Sequence, residues 1–305
     1  MRQAACLVAV LWCVCAAVAP ARVHAGAQAG EAVTRLRTSA EAGDPEAQFN
    51  LGFLYFRGNG VPTDHAQAAV WFRRAAEQDD VRAQTRLATM YVNGTGVAPD
   101  DVEAIRWYRR AADKGYAEAQ VNLGLMYESG NGVPADPVQA ARWFRKAADQ
   151  GSAKGQFNLA VSYQDGAGVP QDAAQAALWY RKAAEQGLAS AQNNLGLMLT
   201  SGVGIEADLA QAAYWYRNAA DQGLTDAQYN LAMAHFRGAG VTQDYVEVFK
   251  WFHIAASYSR GADRGQYAAS RDAIATRLTP EQVGDARQRA QTWITAFEKR
   301  PVQED

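Results

Sequence analysis

Residues 44–79 read DPEAQFNLGFLYFRGNGVPTDHAQAAVWFRRAAEQD, and recognisable copies of this stretch follow one another along the chain. Trp71, Trp107, Trp143, Trp179, Trp215 and Trp251 stand 36 residues apart every time. Gln48, Gln84, Gln120, Gln156, Gln192 and Gln228 keep the same interval, as do Gly-x-Gly pairs that open at Gly58, Gly94, Gly130, Gly166, Gly202 and Gly238. Three markers in six registers without an insertion define a tandem array, in which each unit buries its apolar face against its neighbours.

Each unit reads as two helices. Helix A of the first spans 44–57, with Ala47, Leu51, Leu54 and Tyr55 at helical spacing on one side. Asp44 suits the N-cap, Pro45 the first helical position and Gly58 the left-handed position that ends the helix. After the link 59–63, Asp64 opens helix B, and Gln67 three residues later completes the pattern of a capping box. That pair recurs as Asp100/Glu103, Asp136/Gln139, Asp172/Gln175, Asp208/Gln211 and Asp244/Glu247. Helix B places Ala68, Trp71, Phe72 and Ala75 on one face. The residue after the helix A leucine alternates as Gly52, Ala88, Gly124, Ala160, Gly196 and Ala232. A mid-helix glycine costs about 1 kcal/mol relative to alanine, so the close approach of another helix backbone is expected there.

The ends fit an array that must cover its outer faces. Residues 31–42 align with the second half of a helix B, with Leu36 in the Phe72 position. Residues 263–277 look helical. Thr279-Pro280-Glu281-Gln282 then opens a last helix with Val283, Ala286, Ala290, Ile294 and Phe297 on one face. The N-terminus reads as an address: Arg2, an uncharged apolar run over 4–19, and Val23-His24-Ala25 as a cleavage pattern, with Ala19-Pro20-Ala21 as the alternative. A secretory signal peptide over 1–25 is expected; a retained membrane anchor is the competing reading. The organisation is then 1–25 signal peptide, 26–43 linker and capping helix, 44–259 six repeats, and 260–305 closing helices and tail.

Cys6, Cys13 and Cys15 all lie in that leader, so the mature chain is expected to hold no disulfide and no thiolate site. The whole chain has 305 residues, 30 basic against 32 acidic, and a net charge of −2. Cleavage would remove Arg2 and Arg22 and leave 28 basic residues, a net −4. This balance argues against a general nucleic-acid binder.

Gln48-x-x-Leu51-Gly52-x-x-Tyr55 followed by Ala68-x-x-x-Phe72 is similar to the tetratricopeptide pattern, with extra length around the Gly58-x-Gly60 link. Ala-Gln-x-Asn-Leu-Gly in helix A and Trp-Phe/Tyr-Arg-x-Ala-Ala in helix B resemble the SEL-one-like repeat (SLR) family over 44–259. The resemblance implies an all-α fold: a right-handed superhelical solenoid of six helix-turn-helix repeats with capping helices at both ends. It also implies a non-enzymatic adaptor or scaffold, with no cofactor and no metal. Exported members are implied to bind envelope proteins, restrain sensor kinases or modulate cell-wall enzymes. Some cysteine-rich exported members are linked to β-lactam binding, and this chain lacks their cysteines. A periplasmic or secreted location follows from the leader. The competing function is a cell-wall ligand binder or enzyme acting on β-lactams or peptidoglycan.

A partner, a protein or an extended peptide segment, is expected on the helix A face. Inside the constant frame, three rows vary. One runs through Phe49, Thr85, Val121, Phe157, Asn193 and Tyr229. The second holds Phe53, Thr89, Leu125, Val161, Leu197 and Met233. The third holds Phe56, Val92, Glu128, Gln164, Thr200 and Phe236. Beside them stand Asn50, Asn122, Asn158, Asn194 and Asn230, a row broken by Arg86. A primary amide donates and accepts, so the row suits pairing with a peptide backbone, or alternatively tying neighbouring helices together. The candidate site is therefore this Asn row with Phe49, Val121, Phe157, Tyr229, Phe53, Leu125 and Leu197. The invariant Gln48 series reads as structural, the Trp71 series as core, and the Gly-x-Gly links as helix ends rather than phosphate cradles. The pairs of the Arg73-Arg74 type, with an acidic residue four positions after the first, read as a solvated i,i+4 charge pattern. His65, His235 and His253 fall in separate registers, with no metal-ligand spacing and no visible nucleophile–base constellation.

Overall fold

The computed structural model describes residues 19–300, with side chains from Gly30 onward. Residues 1–18 of the expected signal peptide lie outside the described residues. The first helix, α1 (Ala19–Glu41), precedes six helix A/helix B pairs. These are α2 (Pro45–Arg57) with α3 (His65–Glu77), α4 (Val81–Asn93) with α5 (Asp101–Asp113), and α6 (Ala117–Ser129) with α7 (Pro137–Asp149). They continue as α8 (Ala153–Asp165) with α9 (Ala173–Glu185), α10 (Ala189–Ser201) with α11 (Leu209–Asp221), and α12 (Thr225–Arg237) with α13 (Tyr245–Tyr258). Then come α14 (Gly261–Ala275) and α15 (Pro280–Glu298). The all-α repeat architecture expected from the sequence is present. The chain divides into two compact units at Lys114/Gly115, and in each the hairpins stack side by side in sequence order.

The punctuation works as the residue types require. Gly58 adopts φ 73°, and its N–H returns to the Leu54 carbonyl at 2.8 Å, closing α2. The Asp64 carboxylate accepts the Gln67 N–H at 2.9 Å. The expected capping box stays half-made, however. The Asp64 N–H donates to the Tyr55 carbonyl at 2.9 Å, and Asp136 repeats this to Tyr127 at 2.8 Å. Helix A leaves its last carbonyls without helical partners, and the next cap residue satisfies one of them, so no return bond from Gln67 is needed. The reciprocal box is made at Thr279/Gln282, which opens α15.

Helix B buries Ala68, Trp71, Phe72 and Ala75 as its spacing dictates. Trp143, Trp179 and Trp251 are also buried, whereas Trp107 and Trp215 are half-buried. The alternating glycine has a different cause from the one expected. A Cβ on Gly52 would stand 2.8 Å from the Phe72 ring, and one on Gly124 2.5 Å from the Phe144 ring. The space is taken first by the helix B aromatic of the same repeat, with the Ala68 carbonyl of that helix next at 3.3 Å from the Gly52 position. Closer backbone approach occurs at the second glycine of the link: a Cβ on Gly168 would meet the Pro137 carbonyl, in the first turn of the preceding helix B.

The basic pairs on helix B also do something other than expected. Arg73 does not pair with Glu77. Its guanidinium donates to the Tyr91 hydroxyl of the next helix A, as Arg145 does to Tyr163. The second cation of each pair lies over the repeat's own tryptophan: Arg74 4.4 Å from the Trp71 centroid, Lys146 3.7 Å from Trp143 and Lys182 4.0 Å from Trp179. Both members therefore belong to the frame.

The glutamine series is a second inter-repeat tie. Gln192 Nε2 donates to the Ala184 carbonyl at 3.1 Å, near the end of the preceding helix B. Its Oε1 accepts from Gln222 at 2.8 Å, at the end of its own repeat's helix B. Gln48 makes the same two bonds, to Ala40 and from Gln78. Where the donor position holds Lys114 or Tyr258 instead, the Oε1 atoms of Gln84 and Gln228 are buried without a partner.

The ends close as expected. Arg37 reaches the Tyr55 hydroxyl at 2.9 Å and Ala40 accepts from Gln48, so the second half of α1 makes both helix B ties. At the other end α15 buries Ala286, Ala290 and Ile294. Trp293 stacks on Phe297 with centroids 4.7 Å apart, meets Trp251 edge-on at 6.0 Å, and donates its indole N–H to Asp221.

Two stability outcomes follow from these contacts. Trp143→Ala removes a buried indole from the middle of the array and should cost about 3–5 kcal/mol. Denaturant unfolding should also broaden or split, because repeats are held mainly by their neighbours. Gln192→Leu takes one bond from the Ala184 carbonyl, which keeps the Gly187 N–H, and one from the Gln222 amide, which keeps the Asn218 carbonyl, and should cost about 1 kcal/mol. Gln84→Leu, which also removes an unpartnered oxygen, should cost less; equal losses would show that the tie to the following glutamine contributes nothing.

Candidate partner-binding surface

The frame leaves one helix A face uncommitted, and each unit presents its own part of it. In the unit that ends at Lys114, Phe49, Phe53 and Phe56 are half-buried and Asn50 is exposed. Phe49 stacks beside Phe53 at 6.5 Å and meets Phe72 at 5.6 Å. Two arginines cover this aromatic row: Arg82 lies 4.3 Å from the Phe49 centroid and Arg57 5.4 Å from that of Phe53. Reading the rows one register at a time missed both, because they stand in other registers of helix A.

In the unit from Gly115 onward, the first varied row turns inward. Val121 is only 4% exposed and Asn193 is buried. Phe157 and Tyr229 are half-buried, each packed on its repeat's helix B aromatic, Tyr180 and Phe252, at 5.7 Å. These side chains form the floor of the face. The second row stands above it, with Leu125 40% and Leu197 45% exposed and Val161 and Met233 half-buried. Leu125 and Leu197 thus stand in the open beside polar amides, while helix B exposes Val102, Leu178 and Tyr214 on its own outer side.

The asparagine row divides into two sets. Asn122 and Asn158 are half-buried, and among the described residues neither side chain has an intramolecular hydrogen bond. Asn50 likewise has none. Asn230 instead donates to Asn193 Oδ1 at 2.8 Å, and Asn194 hydrogen-bonds Tyr180. The tying role is thus present at Asn194 and Asn230, whereas Asn50, Asn122 and Asn158 make no such tie.

Electrostatics mark the rim. Burial, then the neighbouring Asp165, raises the pKa of Glu128 above the ordinary carboxylate range. Burial pushes the Tyr180 hydroxyl up to about 12 against the opposing hydrogen bond from Asn194, so it stays protonated and donates to Gln164 Oε1 at 3.0 Å. The histidines occupy frame positions. His235 Nδ1 lies 3.1 Å from the Thr242 carbonyl. His253 stacks on Phe249, and burial first, then Arg271 and Arg287, lowers its pKa.

Comparison with known proteins accounts for this geometry. The Sel1 repeat family model matches residues 45–80, 81–116, 117–152, 153–188, 189–224 and 225–257, the observed helix pairs in order. The chain belongs to the Sel1 repeat family. Among solved structures it is similar to c5321, a protective antigen present in uropathogenic Escherichia coli strains displaying an SLR fold, at 39% identity and a TM-score of 0.74. That match covers 85% of this chain and 56% of the antigen, so the chain spans little more than half of that protein's length. It is also similar to a Sel1 repeat protein from Oxalobacter formigenes, at 30% identity and a TM-score of 0.69 over 79% of this chain and 96% of the other. A comparison with curated proteins finds no match. Sel1 repeat proteins generally act as protein–protein interaction scaffolds and are typically non-catalytic. Among the described residues of this Sel1 repeat chain, no helix is long and apolar enough to cross a membrane.

The two classes of asparagine should separate on mutation. Asn122→Ala with Asn158→Ala should leave the circular dichroism melt within about 0.5 kcal/mol of wild type, the ordinary range for exposed substitutions. Asn230→Ala, which strands Asn193, should cost about 1 kcal/mol. A large loss for the first pair would place those asparagines in the frame.

Proposed function

We propose that this chain is an exported, non-enzymatic Sel1 repeat scaffold that holds an extended segment or loop of an envelope protein along its helix A face. The observation that carries the reading is the juxtaposition of the unpaired Asn122 and Asn158 amides with the exposed Leu125 and the half-buried Val161. An extended peptide needs backbone partners and apolar contacts for alternate side chains, and this strip sets amides beside aliphatic side chains. The site comprises Asn50, Asn122, Asn158, Asn194 and Asn230 with Phe49, Phe53, Leu125 and Leu197, over a floor of Val121, Phe157 and Tyr229. The helix B tryptophans are excluded from it, because each is packed into the frame.

Export rests on the leader pattern, with cleavage after Ala25 and a periplasmic or secreted product of residues 26–305. Within that product, 26–43 cap the array, 44–259 form the repeats and 260–305 close it. The similar antigen of uropathogenic E. coli is consistent with a protein that meets the outside of the cell.

Affinity capture from an envelope fraction tests the reading. The wild-type chain should retain a protein that Asn122→Ala/Asn158→Ala loses, with both baits melting alike. Fluorescent penicillin and a muropeptide mixture serve as the opposing arm. Covalent labelling or turnover by the purified chain would falsify the scaffold role in favour of cell-wall chemistry.

A further inference from the structure

The helix A face carries two clefts in the same register, one inside each unit. In the unit ending at Lys114, a cleft of about 40 Å³ lies among Phe56, Phe72, Arg86, Thr89 and Asn93. In the other unit, one of about 130 Å³ lies among Thr200, Tyr216, Asn230, Met233 and Arg237. Each residue of the second set stands four repeats after its counterpart in the first. Both hold one arginine and one asparagine, two turns apart on the same helix, with their places exchanged. Arg86 takes the asparagine-row position in α4, while Asn230 keeps it in α12 and Arg237 brings the guanidinium to the end of the helix.

Neither arginine has a carboxylate partner among the described residues. Other arginines do have one, among them Arg82 with Asp80, Arg106 with Glu103, Arg110 with Asp79 and Arg289 with Asp285. An unpaired guanidinium beside a primary amide is a ready carboxylate receptor, since its planar fork matches two carboxylate oxygens. The walls supply the second requirement. Leu197, Leu209 and Met233 line the larger cleft, whose volume approaches the roughly 150 Å³ of an apolar cavity that holds benzene. The smaller cleft is close to one water's share of roughly 30 Å³, so it suits a carboxylate alone.

We infer that the helix A face recognises an acidic peptide segment in which a carboxylate stands next to a large apolar side chain. The apolar group enters the cleft at Met233 and the carboxylate pairs with Arg237. At the equivalent cleft, Arg86 takes a carboxylate without an apolar anchor. This inference rests on the scaffold reading above and adds the chemistry of the partner. The charge argument is local: on a chain of net charge −2, unpaired arginines at both register-equivalent clefts select acidic segments over basic ones.

A phage-displayed library of random twelve-residue peptides, panned on the full chain, tests this. The enriched peptides should share a Glu or Asp adjacent to Leu, Ile, Met or Phe. A synthetic copy should bind Arg237→Ala at least tenfold more weakly and Arg237→Lys less so, at unchanged melting temperature. Changing the peptide's Glu to Gln should cost a similar factor on wild type and almost nothing further on Arg237→Ala. Arg86→Ala should leave affinity at the Arg237 cleft unchanged and abolish a second, weaker peptide site in the titration. Enriched peptides that lack a carboxylate, or that bind Arg237→Ala as tightly as wild type, overturn the inference. If such peptides still lose affinity on Asn158→Ala, the scaffold reading survives alone. If no peptide binding depends on any helix A residue, both fail.

Discussion

The structure depends on a buried amide. Each glutamine of the Gln48 series sits where three helices meet: its own helix A, the preceding helix B, and the end of the helix B that follows. Gln192 gives its N–H to the Ala184 carbonyl behind it and takes one from Gln222 ahead of it. Left unmet, either of those buried groups would cost about 1–3 kcal/mol. The two bonds fix the distance along the chain in both directions. One spans eight residues back and the other thirty forward, so an inserted residue in either stretch breaks one of them. This is a physical reason for a period that never slips, with the forward bond made in four copies and the backward bond alone at Gln84 and Gln228.

The other ties reinforce the same junction. Helix B arginines cross to the next helix A at Tyr91 and Tyr163, and the second glycine of each link lets the chain pass against the preceding helix B backbone. Because glutamine, arginine, tryptophan and glycine carry the frame, helix A is left with a face that no internal contact dictates. Leu125 and Leu197 are exposed there, and Asn122 and Asn158 keep their amides unpaired. A repeat protein can vary such positions without loss of fold, which is the condition for a specificity surface on a constant scaffold.

Helix boundaries within the repeats were legible almost to the residue, since Asp caps, Pro45 and the left-handed glycines act locally, whereas α1, read as 31–42, begins at Ala19. The Gln48 and Trp71 series were correctly placed in the frame, because constancy inside one chain already separates packing from drift. Three local readings changed. The capping box of Asp64 and Gln67 is half-made, because the Asp64 N–H serves the preceding helix. The Gly52 series makes room for a ring of the same repeat rather than for a neighbouring backbone. The Arg73 type of residue bonds across repeats, not to the acid one turn on. The first two changes arise where helix A and helix B of one repeat pack together, and only the third crosses to the next repeat.

The amino-acid sequence by itself determined the repeat length, the order of helices, the capping ends and the family, because periodicity and helix punctuation are properties of short stretches. Tertiary structure alone decided which members of equivalent rows face out. Val121 and Leu125 lie four residues apart on one helix, yet one is 4% exposed and the other 40%. Asn158 and Asn230 share a register, yet only Asn230 is bonded, because Asn193 of the neighbouring repeat lies within reach. Exposure and pairing depend on what the next repeat places opposite a residue, and that becomes defined only when the helices pack.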